Sequence, residues 1–154
     1  MTAVAGQVRA DGYDLSVRTL ALDWGERRIG VAISDSTGLI AQPLETIASS
    51  GDGRDALERV AELVQKHEVD QIVVGLPLHM NGRRGPEAER ARAFGERVRA
   101  RVGVAVDYLD ERWTSLEAER VLDEVGVKRR KQRGRVDPIA AALLLRTWLE
   151  LHRK

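Results

Sequence analysis

Three acidic residues stand where the chain changes character. Asp23 lies just ahead of Gly25, Glu111 sits within Asp110-Glu111-Arg112, and Asp137 precedes Pro138. Brought together, they would form a carboxylate cluster. Two unit charges about 4 Å apart interact by about 4 kcal/mol at an effective dielectric of about 20, so such a cluster needs protons or a cation to persist. Oxygen-only donors favour Mg²⁺ or Mn²⁺ over zinc. Two such ions about 3.5–4 Å apart activate water and stabilise the leaving oxygen of a phosphodiester. The chemistry these residues offer together is nuclease chemistry. Each acid also has a purely structural use: Asp23 as a cap on the Gly25 turn, Glu111 as a partner for Arg112, and Asp137 as the N-cap of a helix opened by Pro138. Only convergence in space separates the two readings.

A polyanionic partner fits the cations. Residues 1–80 carry a charge of −5 and residues 81–154 a charge of +6, although the whole chain is only +1. Arginine supplies 21 of the 25 cations, and its planar fork matches phosphate. The arginine bias alone is equally a matter of genomic base composition; the clustering is not. Arg83 and Arg84 lie in a glycine-rich stretch, Gly75 to Gly85, ahead of a helix whose free N–H groups suit an anion. Lys128, Arg129, Arg130, Lys131, Arg133 and Arg135 form a run without an acid just before Asp137. Alone, such a run is a solvated segment. Beside a metal site it would hold a nucleic-acid backbone in a salt-dependent way.

Other chemistries drop out. With no cysteine, a disulfide framework, a zinc–thiolate site and a cysteine nucleophile are excluded. Gly25 to Gly30 is not followed by Lys-Ser/Thr, and neither G-x-G-x-x-G nor H-E-x-x-H occurs. His67, His79 and His152 are far apart, and only His79, in the glycine-rich stretch, is placed as a proton carrier. Trp24, Trp113 and Trp148 read as packing residues.

The acids must be positioned by the elements around them. Residues 17–24 and 29–34 read as two strands joined by the turn at Gly25–Arg28, a hairpin. Pro43–Ile47 reads as a third strand. After Asp52-Gly53 a helix carries Leu57, Val60, Ala61 and Val64 on one stripe. Residues 71–76 are continuously apolar, as in a strand covered on both faces. Pro86 opens a helix with Ala91, Phe94, Val98 and Val102 inward. Residues 104–109 read as a strand. Thr114 and Glu117 form a capping box for a helix with Ala118, Val121, Leu122 and Val125. The last helix, from Asp137-Pro138, presents Ile139, Ala140, Leu143, Leu144, Trp148 and Leu151. A meander followed by crossover helices predicts a five-stranded mixed sheet with helices on both faces. The first strand is central, so Asp23 and Glu111 are expected at the same carboxyl edge, where open α/β sheets bind their ligands.

A chain of 154 residues makes one domain. Residues 1–16 read as a mobile tail and 17–154 as the domain. No apolar run of membrane-spanning length and no secretory leader is present, which predicts a cytoplasmic protein with no membrane partner.

Four segments carry a family resemblance. LALDWGERRIGVAISD, with its core at 21–35, IVVGLPLHMNGRRGPEA (72–88), DERWTSLEA (110–118) and VDPIAAALLL (136–145) occur in order. Together they resemble the bacterial YqgF/RuvX family of Holliday-junction-resolvase-like proteins and pre-16S rRNA nucleases, over about residues 17–150. The resemblance implies an RNase H-like fold. It makes Asp23, Glu111 and Asp137 the catalytic and metal-binding acids, with Mg²⁺ or Mn²⁺ as cofactor. It also implies a nuclease that processes the 5′ end of pre-16S rRNA in ribosome biogenesis, with structured RNA as partner. Two alternatives stay open: a resolvase of four-way DNA junctions, which needs a two-fold dimer rather than a monomer, and a nucleic-acid-binding module without catalysis. The segment at Leu22–Gly25 also resembles the phosphate loop of actin-like ATPases, but the chain is too short for their two domains.

Overall fold

The computed structural model describes residues 18–77, 85–111 and 136–152, with only the backbone at 136 and 137. The N-terminal tail, the loop holding His79, Arg83 and Arg84, the helix expected from Thr114 and the basic run 128–135 lie outside the described residues.

Strand β1 (Thr19–Trp24) turns through Gly25 into β2 (Arg28–Ser34), and the two pair antiparallel. The turn is tight enough that a Cβ on Gly25 would stand 2.7 Å from the Arg28 carbonyl oxygen. Strand β3 (Ala41–Ala48) continues the meander antiparallel to β2. It starts two residues earlier than its apolar residues predict. Pro43 is accommodated because β3 is an edge strand and lies at a register shift opposite Val31/Ala32, where a missing N–H is tolerated.

Helix α1 (Arg54–Lys66) then carries the chain back, so that β4 (Gln71–Leu76) pairs parallel to β1. Helix α2 (Pro86–Val102) repeats the move, and β5 (Ala105–Asp110) pairs parallel to β4. The sheet order is β3-β2-β1-β4-β5. The predicted mixed sheet is therefore observed, with β1 at its centre.

Alternation along the strands builds two cores. On one face Leu20, Leu22, Ile72, Val74 and Val106 pack against α1 and α2 through Val60, Leu63, Ala91, Phe94 and Val98. On the other face Ala21, Ala32 and Val73 meet helix α3 (Val136–Leu151) through Ala141, Leu144, Leu145, Trp148 and Leu149. The small side chains of Ala21 and Ala32 let that helix lie close to the sheet.

Two helical stripes differ from expectation. The buried residues of α1 are Ala56, Val60, Leu63 and Val64, while Leu57 packs only partly against the core. The stripe is rotated because Leu63, unlike Ala61, fills the space under the sheet. In α3, Leu151 is 65% exposed, while Trp148 and Leu149 of the same turn take the inward face. No helix of the described residues is long and apolar enough to cross a membrane.

Candidate catalytic site

Asp23 is the fifth residue of β1. Since Leu22 and Trp24 belong to the α1/α2 side and Ala21 to the α3 side, alternation turns Asp23 toward α3. The same rule applies on β5. Val106 and Tyr108 face α1 and α2, Leu109 faces α3, and Glu111, the residue after the strand, follows Leu109. Both acids thus stand at the carboxyl edge, as the topology predicts, and they also share one face.

Strand β4 lies between them. Gly75 is opposite Leu109 in the β4–β5 register and follows Val74, the partner of Leu22. A Cβ built on Gly75 would stand 2.5 Å from Glu111 Oε1, 2.8 Å from its Cγ and 3.0 Å from its Cδ. The Glu111 side chain therefore lies across β4, over the one place where that strand offers no side chain. Its far end reaches Asp23, and the two carboxyls share a hydrogen bond.

A hydrogen bond between two carboxyls requires a proton on one of them. Both residues are half-buried, and Glu111 Oε1 is shielded from solvent. Protein packed around Asp23 raises its pKa, against a lowering contribution from the hydrogen bond with Glu111. Burial raises the pKa of Glu111 as well, reinforced by the hydrogen bond and the charge of Asp23 and by Asp110. The pair disfavours double ionisation unless a positive charge compensates it.

The third acid is placed only through its backbone. Asp137 lies in the first turn of α3, the helix that covers the face shared by Asp23 and Glu111; its side chain lies outside the described residues. Arg83, Arg84, Lys128, Arg129, Arg130, Lys131, Arg133 and Arg135 also lie outside them. Among the described residues no group of three or more His, Cys, Asp or Glu forms a metal-binding cluster. Two carboxylates do suffice for Mg²⁺, which keeps several of its waters. The donor set is all oxygen, and its floor is a cradle at Gly75 that a single Cβ would fill. These residues fit a hard divalent cation.

Gly75 is the site residue whose role the sequence does not disclose. It falls within the strand expected at 71–76 and also at the head of the glycine-rich stretch; in the structure it is part of β4 and makes room for Glu111. The signal was its position: a glycine inside an apolar strand marks a close approach.

Comparison with known proteins settles the family. A family model described as RuvX, Holliday junction resolvase, matches residues 17–151. The chain belongs to the RuvX family. A relative from Pelotomaculum thermopropionicum, named "Putative pre-16S rRNA nuclease", is 45% identical over 87% of this chain and 87% of its own. A relative of the same name from Lactococcus lactis is 40% identical over 88% of this chain and 95% of its own. Among solved structures, Thermus thermophilus RuvC in complex with a Holliday junction substrate superposes with a TM-score of 0.57 at 16% identity, covering 88% of this chain and 95% of that one. The fowlpox virus Holliday junction resolvase gives a TM-score of 0.51 at 12% identity, covering 88% and 99%. At those identities the likeness is one of fold, and it establishes the RuvC-like, RNase H-type architecture of this RuvX chain. By family the protein is a nuclease, an enzyme of phosphodiester hydrolysis.

Proposed function

We propose that this RuvX chain is a divalent-cation-dependent nuclease that trims structured RNA, with the 5′ end of the small-subunit ribosomal RNA precursor as substrate. The observation that carries the reading is the Asp23–Glu111 pair: two carboxyls forced together over Gly75, on the face capped by the helix that begins with Asp137. The names of the relatives supply the substrate.

Asp23, Glu111 and Asp137 would hold Mg²⁺ or Mn²⁺. When bound, a divalent cation makes hydroxide available near neutral pH and offsets the charge that builds on the phosphate. The protein's part is positional. Asp23 is fixed by the central strand, and Glu111 by the cradle in β4. Their shared proton leaves as the pair turns from a neutral-plus-anion couple into a fully ionised one. Water oxygen then bonds to phosphorus, the bond to the leaving ribose oxygen breaks, and that oxygen takes up a proton. Arg83, Arg84, Lys128, Arg129, Arg130, Lys131, Arg133 and Arg135 would grip the backbone on either side of the cut. We place the reaction in the cytoplasm, where the ribosomal RNA precursor is made.

A four-way DNA junction is the competing substrate, favoured by the family description; it needs the same acids and a two-fold dimer. Cleavage of precursor ribosomal RNA and of four-way junctions, side by side in Mg²⁺ with Asp23→Asn as control, decides between them. The proposal expects the precursor to be cut and the junction spared. Precursor left intact by the wild-type protein would overturn it.

A further inference from the structure

A second feature opens at the same end of β1, on the opposite side of the sheet. Trp24 follows Asp23 and points the other way, toward α1 and α2. It forms one wall of a cavity of about 430 Å³ bounded by the β3–α1 loop and by one face of α2. This volume lies in the range of small-ligand sites. Phe94 also lines it, as do Arg90 and Arg97, two helical turns apart on α2.

The two arginines are held differently. Arg97 Nη1 donates to the carbonyl oxygen of Asp52 at 2.6 Å. The loop makes room for it: Gly53 has φ 76°, and a Cβ there would stand 3.3 Å from that nitrogen. The hydrogen bond to the carbonyl orients the guanidinium, and the Asp52 carboxylate, whose pKa is lowered chiefly by its hydrogen bond from the Arg54 backbone and in part by the charges of Arg54 and Arg97, lines the same groove. Arg90 instead forms an ion pair with Glu26 of the β1–β2 turn, with side chains 56% and 61% exposed. An exposed pair of this kind is worth little and exchanges readily for a better anion. A groove lined by an indole and two guanidinium groups matches a base and its phosphate: the base stacks on the ring, and the phosphate takes the fork.

We infer that this groove binds one unpaired nucleotide of the strand being cut. Its base lies against Trp24 and its phosphate on Arg97, with Arg90 released from Glu26 to join it. The inference rests on the nuclease reading and adds to it where the strand goes after it leaves the acids: over the end of β1, from the Asp23 side to the Trp24 side.

The test uses the full chain carrying Asp23→Asn, which binds without cutting, and a short labelled single-stranded oligonucleotide of mixed sequence in RNA and DNA form. Adding Arg97→Ala is expected to weaken binding by about tenfold or more, in keeping with one lost nucleotide contact. Adding Arg90→Ala should weaken it less, since the parent gains the Arg90 contact only by giving up the Arg90–Glu26 ion pair. Arg101→Ala is the control. It removes the same charge from the same helix, but its partner is Glu58, outside the groove. Unchanged binding with Arg97→Ala, or an equal loss with Arg101→Ala, overturns the groove while the nuclease reading stands. No binding by the Asp23→Asn parent overturns the groove, while the nuclease reading is decided separately by cleavage of the ribosomal RNA precursor. Equal losses on RNA and DNA support recognition through base and phosphate; a loss confined to RNA supports the groove with the 2′-hydroxyl as a further contact.

Discussion

Gly75 lies under Glu111 so closely that a single added methyl group would stand 2.5 Å from the Glu111 Oε1 atom. Real carbon and oxygen atoms do not approach that far, so a side chain at residue 75 and the observed Glu111 position exclude each other. Gly75→Ala is therefore expected to push the carboxylate off Asp23. Alanine is compatible with a strand, and the fold should persist. A misplacement of about 1 Å at a reacting centre costs about a hundredfold in rate. Cleavage rate and thermal melting measured on the same preparation check this. Full activity in Gly75→Ala would show that Glu111 works from another position.

Glu111→Gln should separate activity from stability. Burial and Asp23 raise the Glu111 pKa, so between its unfolded value near 4.3 and its folded value the native state holds more protons than the unfolded one. Stability without added metal must then fall as pH rises through this window, the reverse of a salt-bridged carboxylate. Glutamine removes the charge. The variant should melt above the wild type at pH 8, by about 1–2 kcal/mol, with the gain fading toward pH 4. Mg²⁺ should stabilise the wild type and leave the variant unmoved. A variant that melts below the wild type at pH 8 would contradict the assigned cause of the shift.

Gly95 poses a contest of magnitudes in α2. Replacing a helical glycine by alanine normally gains about 1 kcal/mol. Here a Cβ would stand 2.6 Å from the Tyr108 hydroxyl oxygen and 2.8 Å from its ring. That hydroxyl donates to the carbonyl oxygen of Arg92 at 3.2 Å or to the Glu96 carboxylate, and burial with the Glu96 hydrogen bond lifts its pKa to about 12. Overpacking costs about 1–3 kcal/mol, and the lost hydrogen bonds add to it. Gly95→Ala should lower the melting temperature, and Gly95→Ala with Tyr108→Phe should recover part of the loss. A higher melting temperature in the single variant would show that Tyr108 moves aside freely.

Ser34 closes the far end of the central hairpin. Its hydroxyl oxygen accepts from the Thr19 backbone N–H at 2.8 Å, and both residues are buried. Ser34→Ala leaves a buried donor unmatched, at a cost of about 1–3 kcal/mol. Denaturant unfolding reads this directly, and an unchanged midpoint would mean that water replaces the hydroxyl.

The sheet was readable because its signals are local. The Gly25 turn, the apolar run 71–76 and the amphipathic helices between strands determine the order of elements, and that order dictates which strand ends share an edge. The convergence of Asp23 and Glu111 follows from it. Reading residue types could not show which side of the sheet each acid takes. That depends on the phase of alternation, and only the packing of Leu22 and Leu109 against opposite cores fixes it. Gly75 falls within the strand expected at 71–76, but its role beneath Glu111 is not legible, since it depends on a contact from the residue after β5, far along the chain. Of the three acids, the Asp23 and Glu111 carboxyls meet each other, while Arg112, the alternative partner of Glu111, lies outside the described residues. Asp137 lies in the first turn of α3, a place that suits a ligand and a cap alike.

Central to the proposed function is that Asp23 and Glu111 would together help to hold a divalent cation. Titration of Mn²⁺ followed by electron paramagnetic resonance, on the wild type, Asp23→Asn and Glu111→Gln at one pH, tests this without any substrate. Tight binding by the wild type and its loss in both variants is the predicted result. Equal Mn²⁺ affinity in all three would contradict it.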